Sequence, residues 1–135
     1  DFWEQIHQLA ARGLTVLITT HYMDEAERCH RLAYIFNGKM LAQGTAAEVV
    51  ERSELSTWTV AGPDLHELAE KLRGLPGVDQ AVPFGLELHV SGADAEALQR
   101  AIAPFQTNAH QWRLIKPGLE DVFIHLMESA QGAAA

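Results

Sequence analysis

Leu14-Thr15-Val16-Leu17-Ile18-Thr19-Thr20 is an unbroken run of apolar and β-branched residues. Continuous rather than alternating hydrophobicity marks a strand covered on both faces, and such a strand needs neighbours in a sheet. The segment before it reads as a helix: Phe2, Ile6, Leu9 and Ala10 repeat at helical spacing, Asp1 is placed to cap the first turn, and Gly13 ends it. A helix followed so closely by a buried strand is half of a parallel α/β unit. The short remainder of this half offers few strands to flank it. The expectation is that the partners lie outside the chain, and that the first 50 residues of the isolated chain are rearranged, swapped between copies or partly molten.

Charge narrows the choice of partner. The 135 residues carry 18 acidic and 10 basic side chains, a formal charge of -8. Up to residue 54 there are 8 acids against 5 bases, and beyond it 10 against 5. Neither half offers the basic face that phosphate-backbone binding requires, so no nucleic-acid partner is expected. The single cysteine, Cys29, excludes an internal disulfide and fits a reducing compartment. No signal peptide is read at the start, and the longest strongly apolar run is far short of the roughly 20 residues that span a bilayer. Any membrane association is therefore expected through a partner, without direct insertion.

After His21 and Tyr22, residues 23 to 29 read as a short acidic helix. Two strands follow, Arg31 to Phe36 and Lys39 to Gln43, joined at Asn37-Gly38, a dipeptide whose members both tolerate positive φ. Thr45 with Glu48 forms a capping box for a helix to Glu51. The polar, aperiodic Arg52-Ser53-Glu54 marks a boundary between a first domain, 1–51, and a second, 55–129. The second is read as self-contained. Its strands lie near 56–61, 78–83, 86–90 and 110–115; Leu86, Leu88 and Val90 form the apolar face of the third. Asp64 with Glu67 opens one helix and Asp94 another. Pro117 starts a last helix carrying Leu119, Val122, Phe123 and Leu126. The order βαββαβ plus a helix is compatible with a small α+β ferredoxin-like domain following an α/β fragment. Residues 130–135 read as a disordered tail.

The string from Val16 through Thr20-His21-Tyr22-Met23-Asp24-Glu25-Ala26 to Asn37-Gly38 and Gly44-Thr45 resembles the end of an ABC transporter nucleotide-binding domain, a P-loop NTPase. In that family an apolar strand ends in Thr/Ser-His, the switch-histidine loop. Met-Asp-Glu-Ala, a helix and a hairpin turning at Asn/Asp-Gly follow. A second string, Lys116-Pro117-Gly118-Leu119-Glu120-Asp121-Val122-Phe123, is similar to one that closes many ATPase subunits of exporters with ABC-2-type membrane partners. Gly118 stands where Ser or Thr is usual, which implies a weaker helix cap. The resemblance implies that His21 hydrogen-bonds the γ-phosphate of ATP, and that the parent protein uses ATP and Mg2+. It further implies a partner nucleotide-binding domain in a dimer, an ABC-2-type permease, and a location in the cytoplasm at the inner membrane. Residues 55–129 would be an accessory, regulatory domain.

No Gly-x-x-x-x-Gly-Lys-Ser/Thr, Leu-Ser-Gly-Gly or apolar strand ending in Asp-Glu occurs in the sequence. The chain is therefore expected to be a fragment, catalytically inactive alone, with no cofactor-binding residue of its own besides the switch histidine. Cys29-His30 lacks a second ligand pair at zinc spacing and reads as a buried thiol on a helix face beside a surface imidazole; no metal site is expected. His7, His66, His89, His110 and His125 are scattered without ligand spacing. Asp24, Glu25 and Glu27 read as a solvated first turn stabilised by the helix dipole, as do Glu120 and Asp121, so no acid is given a catalytic role. Trp3, Trp58 and Trp112 read as packing rather than base-stacking residues.

Two readings of function follow. In one, the chain is the C-terminal segment of an ATP-binding subunit that couples ATP hydrolysis to export across the inner membrane. In the other, the βαββαβ unit is a stand-alone interaction or small-ligand sensor module without ATPase activity. The first predicts that the isolated 135 residues show no saturable ATP binding at micromolar concentration, a result that equilibrium dialysis or calorimetry decides.

Overall fold

The computed structural model describes residues 1–134. Helix α1 spans Phe2–Ala11 with the Asp1 carboxylate accepting from the Trp3 N–H, and it buries Trp3. The run 14–20 that follows is in no strand. Its residues have the composition of a sheet centre, but no strand among the described residues lies beside them. Leu17 is accordingly 93% exposed and Leu14 55%. The expected strand is thus not formed here, because a strand exists only as part of a ladder.

Helix α2 (Met23–Ala26) is shorter than the expected 23–29, and turns carry the chain on to the hairpin of β1 (Leu32–Phe36) and β2 (Lys39–Gly44). The hairpin pairs Phe36 with Lys39, and Asn37 (φ 50) and Gly38 (φ 75) both adopt positive φ at the turn. Helix α3 (Ala46–Ser53) has the expected capping box: the Glu48 N–H donates to Thr45 Oγ1 and the Thr45 N–H to Glu48 Oε1. These bonds to Thr45, backbone first, with the Arg52 and Arg31 guanidinium groups, hold the Glu48 carboxyl below the ordinary value of 4.5.

The second half forms a four-stranded antiparallel sheet from β3 (Ser56–Ala61), β4 (Gln80–Phe84), β5 (Glu87–Gly92) and β6 (Gln111–Ile115), in the order β4-β5-β3-β6. Helices α4 (Leu65–Leu72) and α5 (Ala95–Ile102) connect them and cover one face. Alternation decides which side chains meet these helices. Val60, Ala81, Leu88 and Val90 pack with Leu68, Ala69, Leu72, Leu98 and Ile102, nearly all with under a tenth of their surface exposed. Leu86, expected on this face, sits instead on the turn after Gly85 and is 92% exposed. Asp64 begins α4 in the left-handed region (φ 56) without a side-chain cap, whereas Asp94 caps α5 with bonds to the Glu96 and Ala97 N–H groups.

Helix α6 (Leu119–Ala134) starts two residues beyond Pro117 and runs into the stretch expected as a disordered tail, which is helical as far as Ala134. Ala135 lies outside the described residues. Its apolar stripe does not complete the core of the second half. Leu119, Val122 and Phe123 pack instead with Ala26, Val49 and Leu55, joined by Met23, Leu32, Tyr34 and Ala42. Phe123 lies flat on Tyr34, with ring centroids 4.0 Å apart and planes 6° from parallel. The helix that sequence grouped with the second half thus supplies the core of the first.

Two expectations follow. Phe123→Ala removes a buried ring and its stack, and lowers stability by about 3–5 kcal/mol in denaturant unfolding. Glu48 has a depressed folded-state pKa, so its contribution is present above the ordinary glutamate range and is lost as pH falls through the lower folded value. NMR titration of its carboxyl gives a midpoint below 4.5, and Thr45→Ala moves that midpoint upward.

Candidate functional site

His21 stands where the extended run ends and α2 begins. Thr20 organises this corner. Its hydroxyl donates to Glu25 Oε1 at 2.6 Å and accepts the Tyr22 N–H at 3.0 Å, so one side chain closes the turn that α2 leaves without a side-chain cap of its own. Backbone bonds from the Ala26 N–H to the Tyr22 carbonyl (3.1 Å) and from the Glu27 N–H to the Met23 carbonyl (3.0 Å) continue the turn into helix. Met23 and Ala26 face the cluster built on Leu119, Val122 and Phe123, and this fixes α2 to α6. The imidazole of His21 is exposed and leans on the Tyr22 ring, centroids 4.1 Å apart and tilted by 37°. Among the described residues it takes part in no hydrogen bond, and it stands on a backbone held on the α2 side. Such a group can donate to an anion or relay a proton.

The acids around it divide differently from expectation. Asp24 and Glu27 are solvated, but Glu25 is half-buried and committed to Thr20. No basic residue lies between Arg12 and Arg28. An anionic ligand at His21 therefore needs positive charge from groups outside this corner.

Cys29 is half-buried in the turn after α2, its thiol 3.8 Å from the Glu25 carbonyl, rather than on a helix face. The ring of the neighbouring His30 lies 6.0 Å from that of His7, whose Nε2 bonds the Arg28 carbonyl. Among the described residues no group of three or more His, Cys, Asp or Glu is placed to hold a metal ion. Trp3 packs against Phe2 and under the Arg28 guanidinium; Trp58 and Trp112 lie against the core of the second half, where the Trp112 indole donates to the Phe105 carbonyl. No helix among the described residues is long and apolar enough to cross a membrane.

One pair was missed from sequence. Asp121, expected as a solvated first-turn acid, is 1% exposed. Its carboxylate bonds His89 Nδ1 at 3.0 and 3.1 Å and accepts the Gly118 N–H at 3.0 Å. That last bond is one half of a capping box, from the third helical residue back to the capping residue; the other half, a side-chain acceptor at position 118, is what Gly118 lacks. The signal was there: an acid at the third helical position reaches back to the capping residue, and His89 alternates onto the face opposite Leu88 and Val90.

An unpaired apolar run ending in an exposed histidine, then a short helix and a closing hairpin, is consistent with part of an α/β nucleotide-binding architecture. Comparison with known proteins agrees. No protein-family model matches the chain. The Nod factor export ATP-binding protein I of Paraburkholderia xenovorans is 37% identical over 128 residues, covering 92% of this chain and 40% of that protein. Its counterpart in Bradyrhizobium diazoefficiens is 33% identical over 133 residues with the same coverage. The probable multidrug ABC transporter ATP-binding protein YbhF of Escherichia coli is 42% identical over 53 residues, 39% of this chain and 9% of that protein. The chain belongs to the ABC transporter ATP-binding proteins, and it spans about two fifths of the length of the Nod factor export relatives.

Proposed function

We propose that the whole protein containing this chain is the ATP-binding subunit of an ABC exporter, coupling ATP hydrolysis to transport, and that His21 is its γ-phosphate-sensing histidine. The observation that carries this reading is the corner itself: an exposed imidazole on a backbone fixed by Thr20 and by the docking of α2. The match over 92% of the chain to export ATP-binding proteins supports it, and does not favour the stand-alone sensor module. ATP with Mg2+ would supply the phosphoanhydride bond that breaks. The fit on this chain is to one contact only. His21 offers a nitrogen of switchable protonation, while the acidic surroundings leave the phosphate charge to be neutralised by other parts of the protein.

On the same reading the partners are a second nucleotide-binding domain and an ABC-2-type permease, and the protein lies on the cytoplasmic side of the inner membrane, held there by that permease. Residues 1–51 would finish the nucleotide-binding domain. Residues 55–129 would form a regulatory domain of ferredoxin-like type, a reading supported by the βαββαβ order and the strand sequence β4-β5-β3-β6 with both helices on one face. In the whole protein, His21→Ala is expected to lower kcat for ATP hydrolysis by about 100-fold or more, with a small change in KM, as for loss of one positioned hydrogen-bonding group. An unchanged kcat in a steady-state phosphate-release assay removes the role assigned to His21.

A further inference from the structure

The sheet of the second half has one apolar face, under α4 and α5, and one polar face, under α6. One row across the polar face is Gln80, Ser91, Thr57 and Ile115; the next is Val82, His89, Thr59 and Arg113. In a two-layer α+β unit the face away from the helices ordinarily meets water. Here Thr57 and Ser91 are fully buried and bonded to each other at 2.8 Å, and Gln80 is 5% exposed.

The contacts that hold α6 over β4 and β5 are polar. Asp121 bonds His89, the Asp121 carbonyl accepts from Gln80 Nε2 at 3.0 Å, and His125 faces Asp79 at 3.5 Å. The opposite side of the same helix is apolar and is packed into the first half through Leu119, Val122 and Phe123. The covalent connections lie elsewhere. The chain enters the sheet at β3 and leaves it at β6, two strands paired at Thr57 and Ile115, at the other end of the row from Gln80. Glu54, just before β3, has a left-handed backbone (φ 53), and Pro117 lies just after β6.

We infer that residues 56–115 are a rigid body hinged on the paired ends of β3 and β6 and latched onto α6, at the far strands, by the Asp121–His89 bond with Gln80. Latched, the body is tied through α6 to α2 and so to the His21 corner. Unlatched, it keeps its covalent connections at the two strand ends. Two properties make the latch releasable. Its groups are ones that water solvates well, so parting costs far less than exposing an apolar interface of equal size. And the body keeps its own core intact when α6 leaves, because that core lies on the other face. This assignment stands on the packing and does not depend on ATP chemistry.

The test is thiol accessibility in the whole natural protein with all its native cysteines replaced by serine, Cys29→Ser among them. Ser91→Cys places a thiol under α6, and Val90→Cys places one a residue away on the opposite face; both positions are fully buried. His89→Phe keeps a ring against Phe84 but removes the nitrogen bonded to Asp121. The expected result is labelling of the Ser91→Cys thiol accelerated by about tenfold or more by His89→Phe, with labelling of the Val90→Cys thiol within about twofold of its rate when His89 is present. Gln80→Met, which removes one latch bond together with a buried amide oxygen that has no partner among the described residues, gives a smaller change of the same pattern and decides the matter if His89→Phe does not fold. Equal acceleration at both thiols means global opening and overturns the hinge, as does no acceleration at either.

Discussion

Helix α6 has two faces that ask for different surroundings, and the arrangement of the chain follows from satisfying both. Leu119, Val122 and Phe123 need an apolar partner, and the hairpin, α2 and α3 supply it. Asp121 and His125 lie on the other side and need polar partners, which the sheet supplies from His89, Gln80 and Asp79. Burying a Phe or Leu side chain contributes about 1.5–3 kcal/mol, while a typical hydrogen bond contributes about 0.5–1.5 kcal/mol net. The helix is therefore held by its apolar side and oriented by its polar side. Without α6, the hairpin and the two short helices have no sizeable core of their own.

Much of the second half was legible from sequence because its information is local. Asp94, the Gly85 turn and the alternation of Leu88 and Val90 with His89 each determine a few residues, and the structure has an element where each points. What escaped was information carried between elements. The stripe Leu119, Val122, Phe123 announces an amphipathic helix but not the surface it meets, since a stripe looks the same whichever core accepts it. Asp121 was read as solvated for a related reason: an acid in a first helical turn is stabilised by the helix terminus either way, and only the position of His89 in space makes it buried. Leu86 failed at the other limit, where alternation continues back past the start of the strand into the turn.

The run 14–20 is the clearest case of pattern without structure. Its residues are suited to a sheet interior, and the same residues become a liability where no neighbouring strand is present. Leu17 exposed at 93% contributes nothing, and the backbone groups along the run have no ladder to satisfy them. Family membership resolves the contradiction, because the relatives are proteins of which this chain spans about two fifths. The pattern expresses a demand for neighbours, and that demand is unmet among the residues described.

The His21 corner shows how position is held despite that gap. On its N-terminal side the unpaired run ends at Thr20, whose hydroxyl bonds Glu25 and the Tyr22 N–H, and on its C-terminal side Met23 and Ala26 are set into the α6 cluster. The backbone of the histidine is thus fixed by a turn and a helix rather than by a sheet. On the function proposed for His21, this arrangement leaves the imidazole free while its backbone is held. It is carried on an element whose far side is coupled, through α6, to a polar interface some distance away, so a shift in one is felt at the other only to the extent that the apolar packing between α2 and α6 is stiff. Met23 and Ala26 share one cluster with the fully buried Val122, and the flat stack of Phe123 on Tyr34 fixes the hairpin to the same helix.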